Sequence, residues 1–390
     1  MALLTLRRPG PGAVPVAPGY PGSAAPGQLA ATPWGYFIGA DGQAHAQFDL
    51  ATSELSMPVE DLTWSPGARL APVSVIHAHY LESWDIHVQL SGTITQIANE
   101  PTAPALAPNG LGAIFENIRA VYSGQDNPLD VAGRWLPVRQ QAEVHAFADT
   151  AIVTLPPKNT STSSVTGNWS IDAVFRAPVA LSKKSKPGDW SPRGLVFCQD
   201  DAVSINLYLT CGQLSDFISV ATGDTIALTS GSISIRQNVM TIPADPYSAP
   251  DLSELHTFTS TQYPATQGST TLVPLLTGEV YTRLGFAVLL PSGQVDAQNT
   301  AGLSSITLKY GGNQRILDSL SPETLRYRQA TDDASAVAAG FYVVDFARDW
   351  PRNVFDSSKV TDLRLELKFA AAPAAGTLIE WMAEQLVASV

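Results

Sequence analysis

Hydrophobic and polar residues alternate along many short segments of this chain, which is typical of β-strands with one buried and one exposed face. In one segment Trp84, Ile86, Val88 and Leu90 alternate with polar residues. Similar patterns occur in the segments 169–175, 205–209, 233–235, 303–310, 341–346 and 363–369. Each of these segments is predicted to be a strand.

Helical periodicity is scarce, and the segments 319–328 and 114–121 leave the choice between helix and strand open. The 29 prolines and 29 glycines punctuate the chain at a spacing typical of turns. About eight strand candidates fall in each half, which favours an all-β protein with a jelly-roll sandwich in each half.

A short passage occurs twice, and both copies lie in strand-like surroundings. The segment 118–124 resembles 306–312, and a strand ending in tyrosine runs into a glycine turn in each. The matched pairs that follow are Leu129-Asp130 with Leu317-Asp318 and Arg134-Trp135 with Arg326-Tyr327, and the segment 84–90 before the first copy matches 284–290 before the second. Two similar β units in tandem are therefore predicted.

The length supports this division, because 390 residues exceed the roughly 250–300 at which one hydrophobic core stops growing. Proline-rich residues 241–250 follow the last strand of the first unit. We expect an N-terminal arm and lead-in at 1–70, a first jelly roll at 71–240, a linker at 241–268 and a second jelly roll at 269–390.

The N-terminal arm is rich in proline and glycine, since residues 1–33 contain seven Pro and five Gly. This composition favours extended chain and cannot build a core of its own. We expect the arm to lie against neighbouring subunits, with Arg7, Arg8, Pro9, Pro11 and Tyr20 as candidate assembly residues.

The composition is 45% hydrophobic and 15% charged, against a usual charged share of about 25%. We therefore expect something other than water to cover much of the surface. The net charge of -12 disfavours direct binding of nucleic acid, which relies on a positive field.

Cys198 and Cys211 are the only cysteines, too few for a disulfide scaffold, so both are expected to be reduced. The first residues lack the charge order of a secretory signal, and no run approaches the ~20 apolar residues that span a bilayer. We expect a protein that is made in soluble form.

Motifs that carry catalysis are scarce: phosphate-binding glycine loops, nucleophile elbows and Cys-x-x-Cys pairs do not occur. On a continuous strand His77, His79 and His87 would share one face, which is a metal-binding arrangement of cupin-type enzymes, although a polar face on an edge strand is the simpler interpretation. The acidic pairs Asp200-Asp201 and Asp332-Asp333 suit either calcium or solvated turns. We expect no cofactor and no enzyme activity.

Two regions resemble double jelly-roll major capsid proteins. The first region comprises 175–182, a lysine-rich loop with Lys183, Lys184 and Lys186, Asp189-Trp190, 194–197 and 205–209. The second is similar to the closing strands of the tectivirus member and comprises 341–346, a loop with Asn353 and Asp356, 363–369, Gly376 and 379–384. The resemblance covers residues 75–390, whereas the Pro/Gly-rich start departs from the polar beginning of the tectivirus protein.

The resemblance implies a structural protein of a virion capsid, synthesised in the host cytoplasm. Members of this family form homotrimers that tile an icosahedral shell, commonly above an internal membrane. The implied partners are further copies of the chain, other capsid proteins such as a vertex protein, and internal membrane lipids. Two alternatives stay open: a carbohydrate-binding or glycan-processing protein that uses Trp190 and Trp350, and a cupin-like metal enzyme.

Overall fold

A computed structural model of the chain describes residues 36–122, 128–143, 151–181, 193–199, 204–266, 268–311, 314–333, 338–346 and 354–388. The strands up to residue 240 are β1 (Tyr36–Ile38), β2 (Ala44–Ala46), β3 (Glu54–Thr63), β4 (Val73–Ser74), β5 (Tyr80–Gln96), β6 (Ala105–Leu106), β7 (Phe115–Tyr122), β8 (Leu129–Val131), β9 (Ala151–Thr154), β10 (Val165–Pro178), β11 (Val196–Phe197), β12 (Ile205–Cys211), β13 (Ile218–Ser219) and β14 (Thr225–Met240). The later strands are β15 (Glu254–Pro264), β16 (Thr270–Pro274), β17 (Val280–Leu289), β18 (Leu303–Tyr310), β19 (Gln314–Leu320), β20 (Phe341–Asp345), β21 (Phe355–Asp356), β22 (Leu363–Phe369) and β23 (Leu378–Ala388).

Helices are few and short in this described part of the chain. The α-helices are α1 (Phe48–Ala51), α2 (Trp135–Glu143), α3 (Leu214–Phe217) and α4 (Pro322–Asp333). Single turns of 3₁₀ helix occur at Leu111–Ile114, Pro246–Ser248 and Ser357–Lys359. Each strand predicted from alternation is present.

The two halves of the chain have the same strand topology. In the first half one sheet has the order β3-β14-β5-β10, and the facing strands have the order β4-β12-β7-β8. In the second half the corresponding orders are β15-β23-β17-β20 and β16-β22-β18-β19. The strands of these two sheets are the eight main strands of each half. Numbered in chain order within a half, they follow the order 1-8-3-6 in the first sheet and 2-7-4-5 in the facing sheet. This arrangement is that of a jelly roll, so the predicted all-β double jelly roll is confirmed.

The repeated passage occupies equivalent places in the two halves. Tyr122 ends β7 and Tyr310 ends β18, each the fourth main strand of its half. Ala120 lies opposite Leu129, and Leu308 lies opposite Leu317. The sequence repeat therefore reflects a repeated strand pair.

A shared β-bulge fixes the correspondence more closely. The pairing of β14 with β5 skips Glu82, and the pairing of β23 with β17 skips Thr282. A bulge inserts one unpaired residue and increases the local twist. Because both bulges lie just before the matched segments 84–90 and 284–290, they set the two sheets in the same register.

The halves differ in how their first sheets are buried. In β5 buried positions alternate with partly exposed ones from Trp84 onward, so the outer face of that sheet is exposed. In β17 every residue after Val280 is buried, so that strand is covered on both faces. Leu284, Phe286 and Val288 belong to the core of the second half, whereas Ala287 and Leu289 belong to the core of the first half.

The two ambiguous segments are resolved differently. The segment 319–328 contributes the end of β19 and most of α4. The segment 114–121 ends a 3₁₀ turn and then forms β7.

We expect Gly92→Ala to destabilise the protein by about 1–3 kcal/mol, as overpacking does in tightly packed cores. A Cβ at Gly92 would lie 2.0 Å from the Ala227 carbonyl oxygen and 2.8 Å from the Trp169 ring. The free energy of unfolding in urea measures the effect. The matched control is Gly268→Ala, where no atom lies within 4 Å of the added Cβ; equal losses in both variants would contradict the prediction.

Candidate functional site

The halves of the chain are joined by a parallel strand pair. Leu129 of β8 lies opposite Phe258 of β15, and Asp130 lies opposite Thr259. The Phe258 N–H donates to the Pro128 carbonyl at 2.6 Å. The pair makes one continuous sheet of the strands β20-β17-β23-β15-β8-β7-β12-β4. We call the contact formed by this pair and helix α2 the junction.

Helix α2 is buried on both sides, between the first core and the second-half sheet. Trp135 is fully buried, and its ring meets Phe341 edge to face with centroids 5.1 Å apart. Its indole lies above Gly285, where a Cβ would be 2.9 Å from the ring. Because Gly285 has no side chain, the helix can approach the sheet closely. Phe341, Val343 and Met382 therefore pack in the first core although they belong to second-half strands.

A buried cluster of charges lies at the same junction. Glu384 of β23 is fully buried and pairs with Arg139 of α2. Its second oxygen accepts from Arg283 of β17 at 2.5 Å, and Arg283 also pairs with Asp345 of β20 at 3.1 Å. His256 Nε2 lies 3.7 Å from Glu384. Four second-half strands and one first-half helix thus contribute to one cluster.

The electrostatics of the cluster favour an ionised Glu384. Burial by itself raises the pKa of Glu384, but the attraction of the two guanidinium groups and of His256 outweighs it and holds the pKa well below its ordinary value. The Arg139 guanidinium also lies over the Phe258 ring at 5.8 Å. Breaking one partner of such a buried pair leaves an uncompensated charge.

A second ion pair lies at the edge of the junction. Arg134, just before α2, lies 3.0 Å from Glu380 of β23, and Gln262 donates to Glu380 at 3.3 Å. Burial raises the pKa of Glu380, and Arg134 and Gln262 offset part of that rise. Together these ion pairs combine three guanidinium groups, those of Arg134, Arg139 and Arg283, with three carboxylates, those of Asp345, Glu380 and Glu384.

The outer face of the first-half sheet has polar residues where the second-half sheet has the junction. By the register of the bulges, the neutral pair Ser83 and Asn238 occupies the place of Arg283 and Glu384, and Asn238 donates to Ser83 at 3.2 Å. Asp85, in the place of Gly285, pairs with Arg176 at 2.9 Å. An open groove of about 300 Å³ lies here, and its lining residues are Glu54, Leu55, Ser56, Glu82, Asp85, Arg176 and Asn238. We call it the β3 groove.

The three histidines do not share one strand. His77 and His79 precede β5, and His79 has a φ of 58°, which interrupts extended chain. His77 contacts the Cys198 carbonyl at 3.2 Å. His87 lies in β5 and hydrogen-bonds Asp172 at 2.6 Å; the hydrogen bonds from Gln89 and His87 lower the pKa of Asp172. The condition for a common face, one continuous strand through all three histidines, is therefore not met. Among the described residues no three His, Cys, Asp or Glu side chains could hold a metal ion.

The two cysteines are free and buried. Burial raises the pKa of Cys198 to about 12 and that of Cys211 to about 11. Both thiols are therefore protonated at neutral pH and are poor nucleophiles.

Several predicted residues lie outside the described part of the chain. They are Arg7, Arg8, Pro9, Pro11 and Tyr20 of the arm, the lysines 183, 184 and 186, Trp190, Trp350 and the Asp200-Asp201 pair. Asp332 and Asp333 are the last residues of α4 and not a turn. No helix of the described ranges is long and apolar enough to cross a bilayer.

Solved virus structures share this fold. The STIV MCP superposes with a TM-score of 0.58 at 14% identity, over 86% of this chain and 97% of that one. The structure of Sulfolobus Turreted Icosahedral Virus gives 0.57 at 15% identity, over 86% and 91% of the two chains. The PBCV-1 virus capsid gives 0.51 at 13% identity, over 86% and 93%. No family model and no curated protein matches the sequence. At these identities the likeness supports the fold.

Sequence reasoning missed the junction, although one signal for it was present. The segment 84–90 alternates in polarity, whereas the matched segment 284–290 is apolar throughout. Strands buried on both faces have such continuous apolar runs. The difference between the two matched segments could have located the sheet that both halves cover.

We expect Glu384→Gln to cost about 3–5 kcal/mol of unfolding free energy at pH 7, as does breaking other buried ion pairs. Because the folded-state pKa of Glu384 is depressed, its stabilising effect is complete above the unfolded-state value of about 4.3 and is lost as pH falls. The difference in unfolding free energy between variant and wild type, measured by urea unfolding, should therefore become smaller as the pH is lowered to about 3.5. Glu116→Gln, on an exposed position of β7, is the control. A gap that stays constant over this pH range would contradict the assignment.

Proposed function

We propose that this chain is a major capsid protein that forms homotrimers and, through them, an icosahedral virus shell. The observation that carries the proposal is the pair of like jelly rolls fused through a buried junction. The likeness of this fold to the STIV MCP and to the PBCV-1 virus capsid supports it. Scaffold contacts account for the buried polar residues of the junction without any catalytic role.

The proposed jelly rolls differ in extent from the sequence-based boundaries. We place the first at residues 54–240, because β3 pairs with β14 along its length. We place the second at 254–388, because β15 pairs with β23 from Glu254 to Pro264. Residues 241–253 then form the linker.

Exposed apolar side chains at sheet margins support contacts between subunits. Ile152 of the edge strand β9 is 70% exposed, and Leu276, just after β16, is 58% exposed. Large side chains of this kind are suited to burial against a neighbour. The proposed partners are further copies of the chain, other capsid proteins such as a vertex protein, and lipids of an internal membrane, and the proposed location is the virion capsid.

Native mass spectrometry of the purified 41.4 kDa chain tests the proposal. We expect a trimer at micromolar concentration and larger particles under assembly conditions. A persistent monomer would refute it.

Deletion of residues 2–30 should leave thermal unfolding and the trimer nearly unchanged while particle formation fails. The proline-rich arm contributes little to a core, and its ordering costs roughly 1–2 kcal/mol of backbone entropy per residue, which contacts between subunits would offset. Electron microscopy counts particles, and calorimetry reports the fold. Failure of the truncated chain to fold, or formation of normal particles, would contradict the expectation.

A further inference from the structure

We propose that β19 and α4 of one copy dock on the β3 groove of a second copy, repeating between copies the contact that β8 and α2 make within the chain. This inference rests on the proposed self-assembly and identifies the surfaces that would perform it. Its basis is the internal repeat, which makes the intrachain junction a template for the second contact.

Each side of the proposed contact includes a strand at the edge of a sheet. β19 and β3 are the outermost strands of their sheets in the described structure, and they correspond to β8 and β15, which pair with each other. The repeat equates Leu129-Asp130 with Leu317-Asp318, and the bulge register equates Phe258-Thr259 with Ser56-Met57. The proposed contact therefore pairs Leu317-Asp318 of one copy with Ser56-Met57 of the next. Pro58 follows at once and limits the pair, because proline has no N–H to donate.

The helices that follow β8 and β19 differ in how much of their surface is buried. α2 follows β8 and is buried on both sides, whereas α4 follows β19 and buries Pro322 and Leu325 on one side. Arg326, Tyr327 and Arg328 are exposed, and Tyr327 is 69% exposed. Tyrosine and arginine are enriched at protein interfaces and among the residues that dominate binding. The exposed face of α4 thus has the composition of a contact surface.

The charged residues lining the surface that would receive α4 are mainly acidic. The β3 groove lies on the first-half sheet where the register places the junction on the second-half sheet. Its lining residues include three acidic ones, Glu54, Glu82 and Asp85, and one basic residue, Arg176, which pairs with Asp85. An acidic groove complements the two arginines of α4, and complementary charge favours association and selects the partner.

The contact is heterologous, because each copy contributes one helix and one groove. Such contacts build rings when the rotation closes and open filaments when it does not. A closed ring of three copies agrees with the proposed trimer.

Two variants and their mixture test the contact, with oligomer mass read by native mass spectrometry and sedimentation. Y327A/R328A alters the helix, and Ser56→Trp fills the groove at an exposed position. The matched controls are Y208A/R119A, a tyrosine and arginine in contact on the outer face of β12 and β7, and Ser304→Trp at an exposed position of β18. Thermal unfolding of every variant checks the fold.

We expect each test variant to weaken self-association by about tenfold or more and the controls to behave as wild type. An equimolar mixture of the two test variants should form a 1:1 dimer and nothing larger, because only one helix and one groove remain intact. Wild-type assembly by either variant, or by their mixture, would overturn this contact and leave the proposed self-assembly standing. A monomeric wild-type chain would overturn both.

Discussion

The burial of both faces of the central strands β17 and β23 is the constraint on which the rest of the structure depends. One face closes the core of the second half, and the other closes the core of the first. The side chains of Arg139, Arg283 and Glu384 on the junction face are therefore almost completely buried, and their charges have to be compensated locally. The pairing of Glu384 with Arg139 and Arg283 meets that requirement and at the same time fixes α2 against the sheet.

Much of the fold could be predicted from the sequence, because burial of one face makes hydrophobic residues recur at every second position of a strand. The short sequence match between 118–124 and 306–312 identified β7 and β18 as equivalent strands. Helix α2 escaped prediction because it is nine residues long, contains Pro137 and is apolar on more than one side, so it lacks an amphipathic period. The continuous strand that a common face of the three histidines requires is interrupted by a left-handed backbone at His79, for which the alternation contains no signal. The groove and the charge cluster depend on contacts between distant segments, which periodicity does not report.

Charged residues of this chain occur both inside it and on its exposed face. Arg139, Arg283 and Glu384 are buried at the junction, where they neutralise one another. Asp85 pairs with Arg176 and His87 contacts Asp172 on the outer face of the first-half sheet, where both pairs are partly exposed. The same kind of contact therefore serves a buried interface in one place and a surface in the other.

The divergence of the two equivalent sheet faces follows from covalent linkage. The junction partners belong to one chain and meet at a high effective concentration, so their contact can be as apolar and as tightly packed as a core. In the described part of the chain, the equivalent positions of the first-half sheet are partly exposed to water. Polar residues accordingly stand at Asp85 and His87, where the other sheet has Gly285 and Ala287. One backbone arrangement thus supports a buried contact in one place and a polar, partly exposed surface in the other.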